Sequence, residues 1–542
     1  MTERVFENLE MKYIFSRIAV YTPYGETFKK RMCPYLIKDR VELEAELKRI
    51  GIVIHYIEKY RYTFVEMRSV FKTVKDLRGS FQRIRENQTL STVELFEIKG
   101  FVNMLNNLDS LLNTLKWELA DKLKVIPIPA IRKLLDPQNN GISTFYIYDE
   151  YSKQLRETRE NIRNIEAELN RRRANTREKI QEELKLSLRP NGEITINKTN
   201  RELLEIIRSY RELVYSAETY MNITYRIKTT DDEDEMIKFI EDLREVEEEE
   251  ERKVRRFLTD EIKKHIETLD FNADAIGSLD LLVAKAYLAM GMKGVCPRIT
   301  SQEMVSIVGG RYIKIEDSLR KQGKSFTAIT VKLKMGVTCI TGANMGGKTI
   351  CLKLIGLLTA MAQYGLFVPA ESMEFSLRDY IFLSMGDQQS ADMGLSTFGA
   401  EILGIRGILE RAEERGLILV DEMARGTNPA EGFAISKAIL NYLKKRAAIS
   451  VITTHYDGLT EDESIRHLQV RGLAQVDYDR LRNEMSLGST GIEQVHQYMD
   501  YRLIEVCNRD TVPRDAINIA RLMGLQEEIL QEAQTYLNRQ PS

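Results

Sequence analysis

The sequence predicts a mixed fold, an all-α half followed by an α/β half, and three observations carry that reading. The stretch from Arg40 to Ile126 contains no proline, and Leu43, Leu47, Ile50 and Ile54 recur at spacings of three and four. Between about 150 and 188 there is neither glycine nor proline, and Leu155, Ile162 and Leu169 repeat every seven residues. Past about 295–305, glycine and β-branched residues become commoner, and short apolar strand-like runs alternate with helical ones.

The chain's 542 residues are enough for three or four domains at about 150 residues each. Its 79 Lys+Arg and 81 Asp+Glu give a net charge of −2, which excludes a globally basic nucleic-acid binder but allows a local basic surface. With 30% charged and 43% hydrophobic residues the chain reads as helix-rich and folded rather than disordered. No window approaches the roughly 18 uninterrupted apolar residues of a membrane span, and Met1 to Glu10 is too acidic for a signal peptide. The five cysteines (Cys33, Cys296, Cys339, Cys351 and Cys507) form no CxxC pair, so neither a disulfide framework nor a zinc knuckle is indicated. A cytoplasmic protein without a membrane partner is expected.

Taken in order, the helical stretch breaks at Ile126-Pro-Ile-Pro129, and a turn-rich piece follows at Leu135–Gly141. The heptad segment then reads as one arm of a coiled coil. Tyr151 to Pro190 holds 11 basic and 7 acidic residues, and Arg189-Pro-Asn-Gly192 is a turn at its tip. The returning segment is opposite in charge: Asp231 to Glu251 holds 13 acidic and 2 basic residues. Such a run reads as a solvated helix face or as a surface that docks a partner; phosphate would repel it. A further helix, Leu279 to Met290, precedes the change of texture near Gly294.

Gly342-Ala-Asn-Met-Gly-Gly-Lys-Thr349 fits G-x-x-x-x-G-K-[ST] in full, after a strand-like run (Val337 to Thr341) and before a helical one (Ile350 to Tyr364). Glycines there let backbone N–H groups curl around phosphates, and the helix N-terminus adds a favourable dipole. Gly342, Ala343, Asn344, Met345, Gly346, Gly347, Lys348, Thr349 and Ile350 are thus candidate nucleotide-binding residues, with Lys348 on the β- and γ-phosphates and the Thr349 hydroxyl on Mg²⁺. ATP and Mg²⁺ are the expected cofactors. Hydrolysis also needs an acid to hold metal and a group to act on water. Gly416-Leu-Ile-Leu-Val-Asp-Glu422, an apolar strand ending in two carboxylates, offers Asp421 for the first role and Glu422 for the second. Ser450-Val-Ile-Thr-Thr-His455 is another apolar strand, and His455 at its end is a candidate γ-phosphate sensor.

These pieces, in this order, resemble the ATPase of the MutS family, an ABC-type P-loop domain. Thr341–Thr349 is similar to TGPNMGGKS with Ala343 in place of Pro, Gly365–Ala370 to G-x-F-V-P-A, and Leu395–Phe398 with Glu401 to S-T-F-x-x-E. Asp421–Thr427 is similar to D-E-L-G-R-G-T and Thr453–Tyr456 to T-T-H-Y. The resemblance covers about 326 to 542. It implies a helical core over 1–150, a coiled-coil lever or clamp arm over 151–270 and a return to the core over 271–300. A P-loop ABC-type ATPase over 301–500 and a helical dimerisation tail over 501–542 would follow. It also implies that Asn344 orders the γ-phosphate or attacking water and that Phe326 lies near the adenine. Ser396, Arg425 and Thr427 would lie at a composite site shared across a dimer. Gly386–Ser390 and Gly426–Gly432 look closer to the second bacterial MutS branch, whose C-terminal Smr nuclease is not expected in this sequence. Two Phe-x-Glu matches, Phe64–Glu66 and Phe239–Glu241, fall in helical text and do not resemble that family's mismatch-reading wedge.

Two functions follow. One is a homodimeric clamp in which ATP controls engagement of DNA, with Arg171-Arg-Arg173 either tracking phosphates or simply facing solvent. The other is a protein-remodelling ATPase. Tyr21-Thr-Pro-Tyr-Gly25 and the Ala424–Pro429 run resemble the MutS-like ATPase subunits that reactivate cobalamin-dependent lysine aminomutase. In that case the acidic segment would dock a protein client.

Overall fold

A computed structural model describes residues 1–117, 121–138, 145–342, 347–385, 397–411, 413–424, 427–456, 458–472, 500–506, 517, 520–521 and 525–539. The chain divides into two compact units, one of residues 74–114 and 118–274, the other of 1–73, 115–117 and 275–542.

In the first unit, the helix Lys153–Leu184 begins behind Ser152, whose hydroxyl accepts from Leu155 N, and runs for 32 residues. Its heptad stripe is buried: Ile162 and Leu169, with Ile165 beside them, pack against Ile240, Met236, Ile237 and Leu243 of the return helix Asp231–Lys263. The two helices run in opposite directions, as their charge pairs show. Arg159 meets Glu247 and Glu251 at 2.7 and 2.5 Å, Arg244 meets Glu166 at 2.9 Å, and Arg172 meets Asp232 at 3.7 Å. Part of the acidic run thus faces the basic helix of its own chain.

The turn at Arg189–Gly192 forms, with Gly192 N bonded to Arg189 O at 2.9 Å. It does not lead straight into the return helix. Strands β1 (Glu193–Asn197), β2 (Leu213–Glu218) and β3 (Asn222–Ile227) form an antiparallel sheet in the order β1-β3-β2. A helix, Arg201–Ser209, crosses between the first two strands, and Ile194, Ile196, Ile207 and Ile223 share a small core with Ile180. Alternate residues of β1 and one face of the helix bury together, the expected pattern for a sheet covered on one side.

The second unit starts with short helices and the 20-residue helix Arg40–Lys59, in which Leu43, Leu47 and Ile50 are buried. The apolar stripe continues through Val53 and Ile57, and Ile54 sits at its margin. Tyr21–Gly25 is a structural joint. Asp280, 1% exposed, accepts from Tyr21 N, Thr22 N and the Thr22 hydroxyl at 2.7–2.9 Å. Burial raises this carboxyl above its usual range against the pull of those donors. A Cβ on Gly25 would stand 2.4 Å from Asp280 Oδ2, so glycine alone fits there. The helix Ile266–Met292 is long and apolar enough to cross a membrane, but 72% of its most apolar window is buried, and it contains Asp280 and Lys285. Lys285 is buried against Glu46 at 2.8 Å.

Two sheets complete this unit. Strands β4 (Arg298–Ile299), β5 (Met304–Gly310), β6 (Ile329–Lys334) and β8 (Ser372–Phe375) form one, in the order β4-β8-β5-β6. The other, ordered β13-β12-β7-β11-β10-β9, comprises β7 (Gly336–Thr341), β9 (Tyr380–Met385), β10 (Gly416–Asp421), β11 (Ile449–Thr453), β12 (Arg466–Gly472) and β13 (Asp500–Glu505). All its neighbours are parallel except β12 and β13. β7, β9, β10 and β11 read as largely apolar runs because parallel strands are covered on both faces.

Candidate functional site

The site lies at the carboxyl edge of β7, β10 and β11, adjacent strands of one parallel sheet, where open α/β sheets generally place ligands. β7 ends at the buried Thr341 and hands over to Gly342 at φ +135°, where an added Cβ would meet Val470 O at 3.1 Å. The helix Gly347–Gln363 carries Lys348 and Thr349 in its first turn. A helix N-terminus aimed at the sheet edge presents N–H groups to an anion.

Five side chains meet there. Asp421, the last residue of β10, accepts from the Thr349 hydroxyl at 2.7 Å and from the Thr453 hydroxyl at 2.6 Å. Thr453, the last residue of β11, in turn accepts from Glu422 N at 2.8 Å, so one hydroxyl fixes both acidic positions. Lys348, 3% exposed, donates to Gly342 O at 3.0 Å and stands 3.8 Å from Glu422 Oε1.

The backbone beyond β10 is strained. Glu422 and Ala424 adopt φ of +51° and +60°, a region non-glycine residues rarely enter, and such strain persists only where surroundings enforce it. The enforcement is visible. Ala424 N donates to buried Glu401 at 2.9 Å, and Ala424 O accepts from the Tyr456 hydroxyl at 3.4 Å. Burial raises the Glu401 carboxyl above its ordinary range, with the Ala424 N–H pulling the other way. Under the loop's first strand, Thr341 Oγ1 lies 2.8 Å from Nε2 of buried His467.

Gly342, Gly347, Lys348, Thr349, Asp421 and Glu422 therefore gather at one edge, with Ile350 half-buried in the helix they start. His455 follows β11 at that edge; it is exposed, with its ring 4.6 Å from that of Tyr456. Thr427 is half-buried and its hydroxyl donates to Glu431 at 3.5 Å. Phe326 stacks on Tyr501 with ring centroids 5.3 Å apart. Ala343, Asn344, Met345, Gly346, Ser396 and Arg425 lie outside the described residues. Thr453, Glu401 and His467 were not singled out as site residues by the sequence. Thr453 and Glu401 sit inside quoted motifs, and position at a strand end was the available signal for Thr453. Nothing local marks His467.

Among the described residues, no group of three or more His, Cys, Asp or Glu could hold a metal ion. A nucleotide-borne Mg²⁺ needs less, since phosphates and waters supply most of its six oxygens. Thr349 and Asp421, whose oxygens already face each other at 2.7 Å, fit that demand.

Residues 338–540 match the family profile of MutS domain V. The chain is similar to Endonuclease MutS2 of Geobacillus sp. (strain WCH70), 28% identical over 85% of this chain and 57% of that protein. It is 27% identical to Endonuclease MutS2 of Caldanaerobacter subterraneus subsp. tengcongensis over 99% of this chain and 64% of the relative. For Endonuclease MutS2 of Brevibacillus brevis the identity is 30%, over 85% of this chain and 56% of the relative. The chain thus spans 56–64% of the length of these relatives. Together these matches support a MutS-family protein.

Proposed function

We propose that the chain is a Mg²⁺-dependent ATPase that works as a homodimeric clamp on DNA in the cytoplasm. The observation that supports this reading best is the hydrogen-bonded row Thr349–Asp421–Thr453–Glu422, which sets a metal-holding pair beside a water-facing carboxylate. Lys348 leaves Gly342 O and Glu422 to take the β- and γ-phosphates. Thr349 and Asp421 would hold Mg²⁺ on the protein side, and the ion would offset phosphate charge. Glu422, released from Lys348, orients and deprotonates water, and Thr453 is the residue that positions it. Asn344 and His455 serve the γ-phosphate, and Phe326 borders the base. Ser396, Arg425 and Thr427 complete the partner's site across the dimer. The relatives carry the name endonuclease; for this chain the proposal is confined to ATP turnover and DNA engagement.

Two of the three sequence features that suggested a protein client have partners within the chain. The acidic helix is met by Arg159 and Arg172, and the Tyr21–Gly25 segment is anchored on Asp280. The test is steady-state ATPase activity with duplex, branched and single-stranded DNA at two salt concentrations, with Lys348→Ala as the blank. Stimulation that falls steeply with salt is expected, because phosphate contacts release counterions. Turnover indifferent to every nucleic acid would overturn the DNA reading and leave the ATPase reading standing.

A further inference from the structure

The first unit holds a cavity of about 620 Å³ where the three-stranded sheet meets the paired helices. That volume lies within the roughly 300–1,000 Å³ of small-ligand sites. Its walls come from four pieces of chain: Asn170, Arg173 and Arg177 on the first helix, the turn at Asn191, Arg226 and Ile227 of β3, and Glu233 at the start of the return helix.

The arginine run at 171–173 divides here. Arg171 and Arg172 both pair with Glu168, at 2.7 and 2.9 Å, and Arg172 also approaches Asp232 at 3.7 Å. Arg173 turns to the cavity, and neither it nor Arg226 forms an ion pair among the described residues. Arg177 is steadied by donating to Pro190 O at 3.0 Å. Of the carboxylates in the lining, Glu233 is committed to the helix cap, accepting from Thr230 N at 3.4 Å, while Glu193 is half-buried in β1. Three guanidinium groups therefore face two carboxylates, one of them engaged. Asn170 and Asn191 add neutral amides, and Ile227 adds an apolar wall.

We propose that this cavity is a second phosphate site, separate from the P-loop, that takes a nucleotide-sized phosphate monoester between Arg173, Arg177 and Arg226. A monoester carries close to two negative charges near neutral pH and offers three acceptor oxygens, which suits convergent guanidinium forks. A half-open cleft of this volume has room for a single nucleotide, with Arg173 and Arg226 at its exposed rim. Two sources share this chemistry: a free mononucleotide and the phosphorylated 5′ end of a strand.

The test uses the full chain, with and without Lys348→Ala to silence the P-loop. Binding of a short 3′-labelled oligonucleotide bearing a 5′-phosphate is compared with its 5′-hydroxyl twin by fluorescence anisotropy, and AMP is titrated as competitor. The phosphorylated probe should bind about tenfold tighter, a difference of one or two charge-assisted hydrogen bonds. R173A/R226A should bind the two probes alike and lose competition by AMP, and both side chains are exposed, so the fold should tolerate their removal. If that pair fails to fold, R226Q alone should reduce the preference. R171A/R172A, removing the paired arginines, should keep it. AMP binding tighter than the phosphorylated strand identifies a free nucleotide as the ligand, and the reverse identifies a strand end. Equal binding of both probes without AMP competition would overturn the proposal. So would loss of the preference in Lys348→Ala, or an equal loss in R171A/R172A.

Discussion

The molecule carries two concentrations of acid, and they differ in what surrounds them. Thirteen carboxylates lie along Asp231 to Glu251, and two stand at the end of β10. In the first region the charges are mostly exposed, and those that pair meet arginines on the neighbouring helix or basic residues one turn along their own. In the second, Asp421 and the Glu422 backbone share a threonine hydroxyl, and Glu422 faces a buried lysine from strained backbone. Water screens the first set and makes each member individually dispensable. The second set is half-buried and tied into shared bonds, each of which counts for more at lower local dielectric. The number of charges is a poor guide to function; their desolvation and shared partners are better.

That contrast breaks first at Glu422. Glu422→Gln keeps the shape but removes the base, and turnover should fall about 10²–10⁴-fold with ATP still bound. Single-turnover hydrolysis with a parallel nucleotide-binding titration reads both quantities, and parental hydrolysis would remove Glu422 from the mechanism. The next effect belongs to Thr453→Val, which leaves Asp421 Oδ1 and Glu422 N–H without their shared hydroxyl. About 1–3 kcal/mol is at stake for such unsatisfied groups. A tenfold or greater drop in kcat with an unchanged melting temperature would mark Thr453 as a positioning residue. A lower melting temperature with kcat intact would make it merely structural.

The site's outline was legible because its parts are contiguous in sequence: glycine-lysine-threonine, Asp-Glu after an apolar strand, and Thr-Thr-His after another. The bonds joining these parts were not, since Thr349–Asp421 and Thr341–His467 link residues 72 and 126 positions apart. The helical half was legible from its period, down to the buried Ile162 and Leu169. The sheet at the end of the arm escaped notice. Its strands are short and one-sided, and the turn at Arg189–Gly192 explained the local sequence equally well without them. Complementary charge on the two arm helices was visible only as two separate excesses, because pairing depends on register.

Arg159 tests the paired side of the comparison. It is 19% exposed and holds Asp149, Glu247 and Glu251 at 2.5–2.7 Å. Arg159→Ala strands three carboxylates together and should cost about 2 kcal/mol, less at high salt. A urea titration at two ionic strengths measures it, and a loss independent of salt would point to packing instead. Glu401→Gln should act in the other direction. Burial raises this carboxyl, so the folded state favours its protonated form, and stability is lost as pH rises through the raised value. The amide keeps an oxygen for Ala424 N and removes that loss. The variant should melt about as the parent does near pH 4 and above it at pH 8; a parent less stable than the variant at pH 4 but equal at pH 8 would reverse the sign.

The smallest effect is expected where the sequence is most conspicuous. Glu235, Glu241, Glu245 and Glu248 are exposed and form no ion pair among the described residues. Glu241 and Glu245 are one turn apart, a like-charge spacing that costs a helix a few tenths of a kcal/mol. Changing all four to glutamine should raise stability by about 0.5 kcal/mol or less at low salt, and by nothing at high salt. ATP turnover should stay within about twofold, since exposed charges in a screened environment contribute little to distant chemistry. A loss of several-fold in turnover, or of a partner that co-purifies with the parent chain, would return the acidic helix to the centre of the mechanism. In that event the difference between the two acid-rich regions would lie in which partner each one meets, and desolvation would no longer suffice to tell them apart.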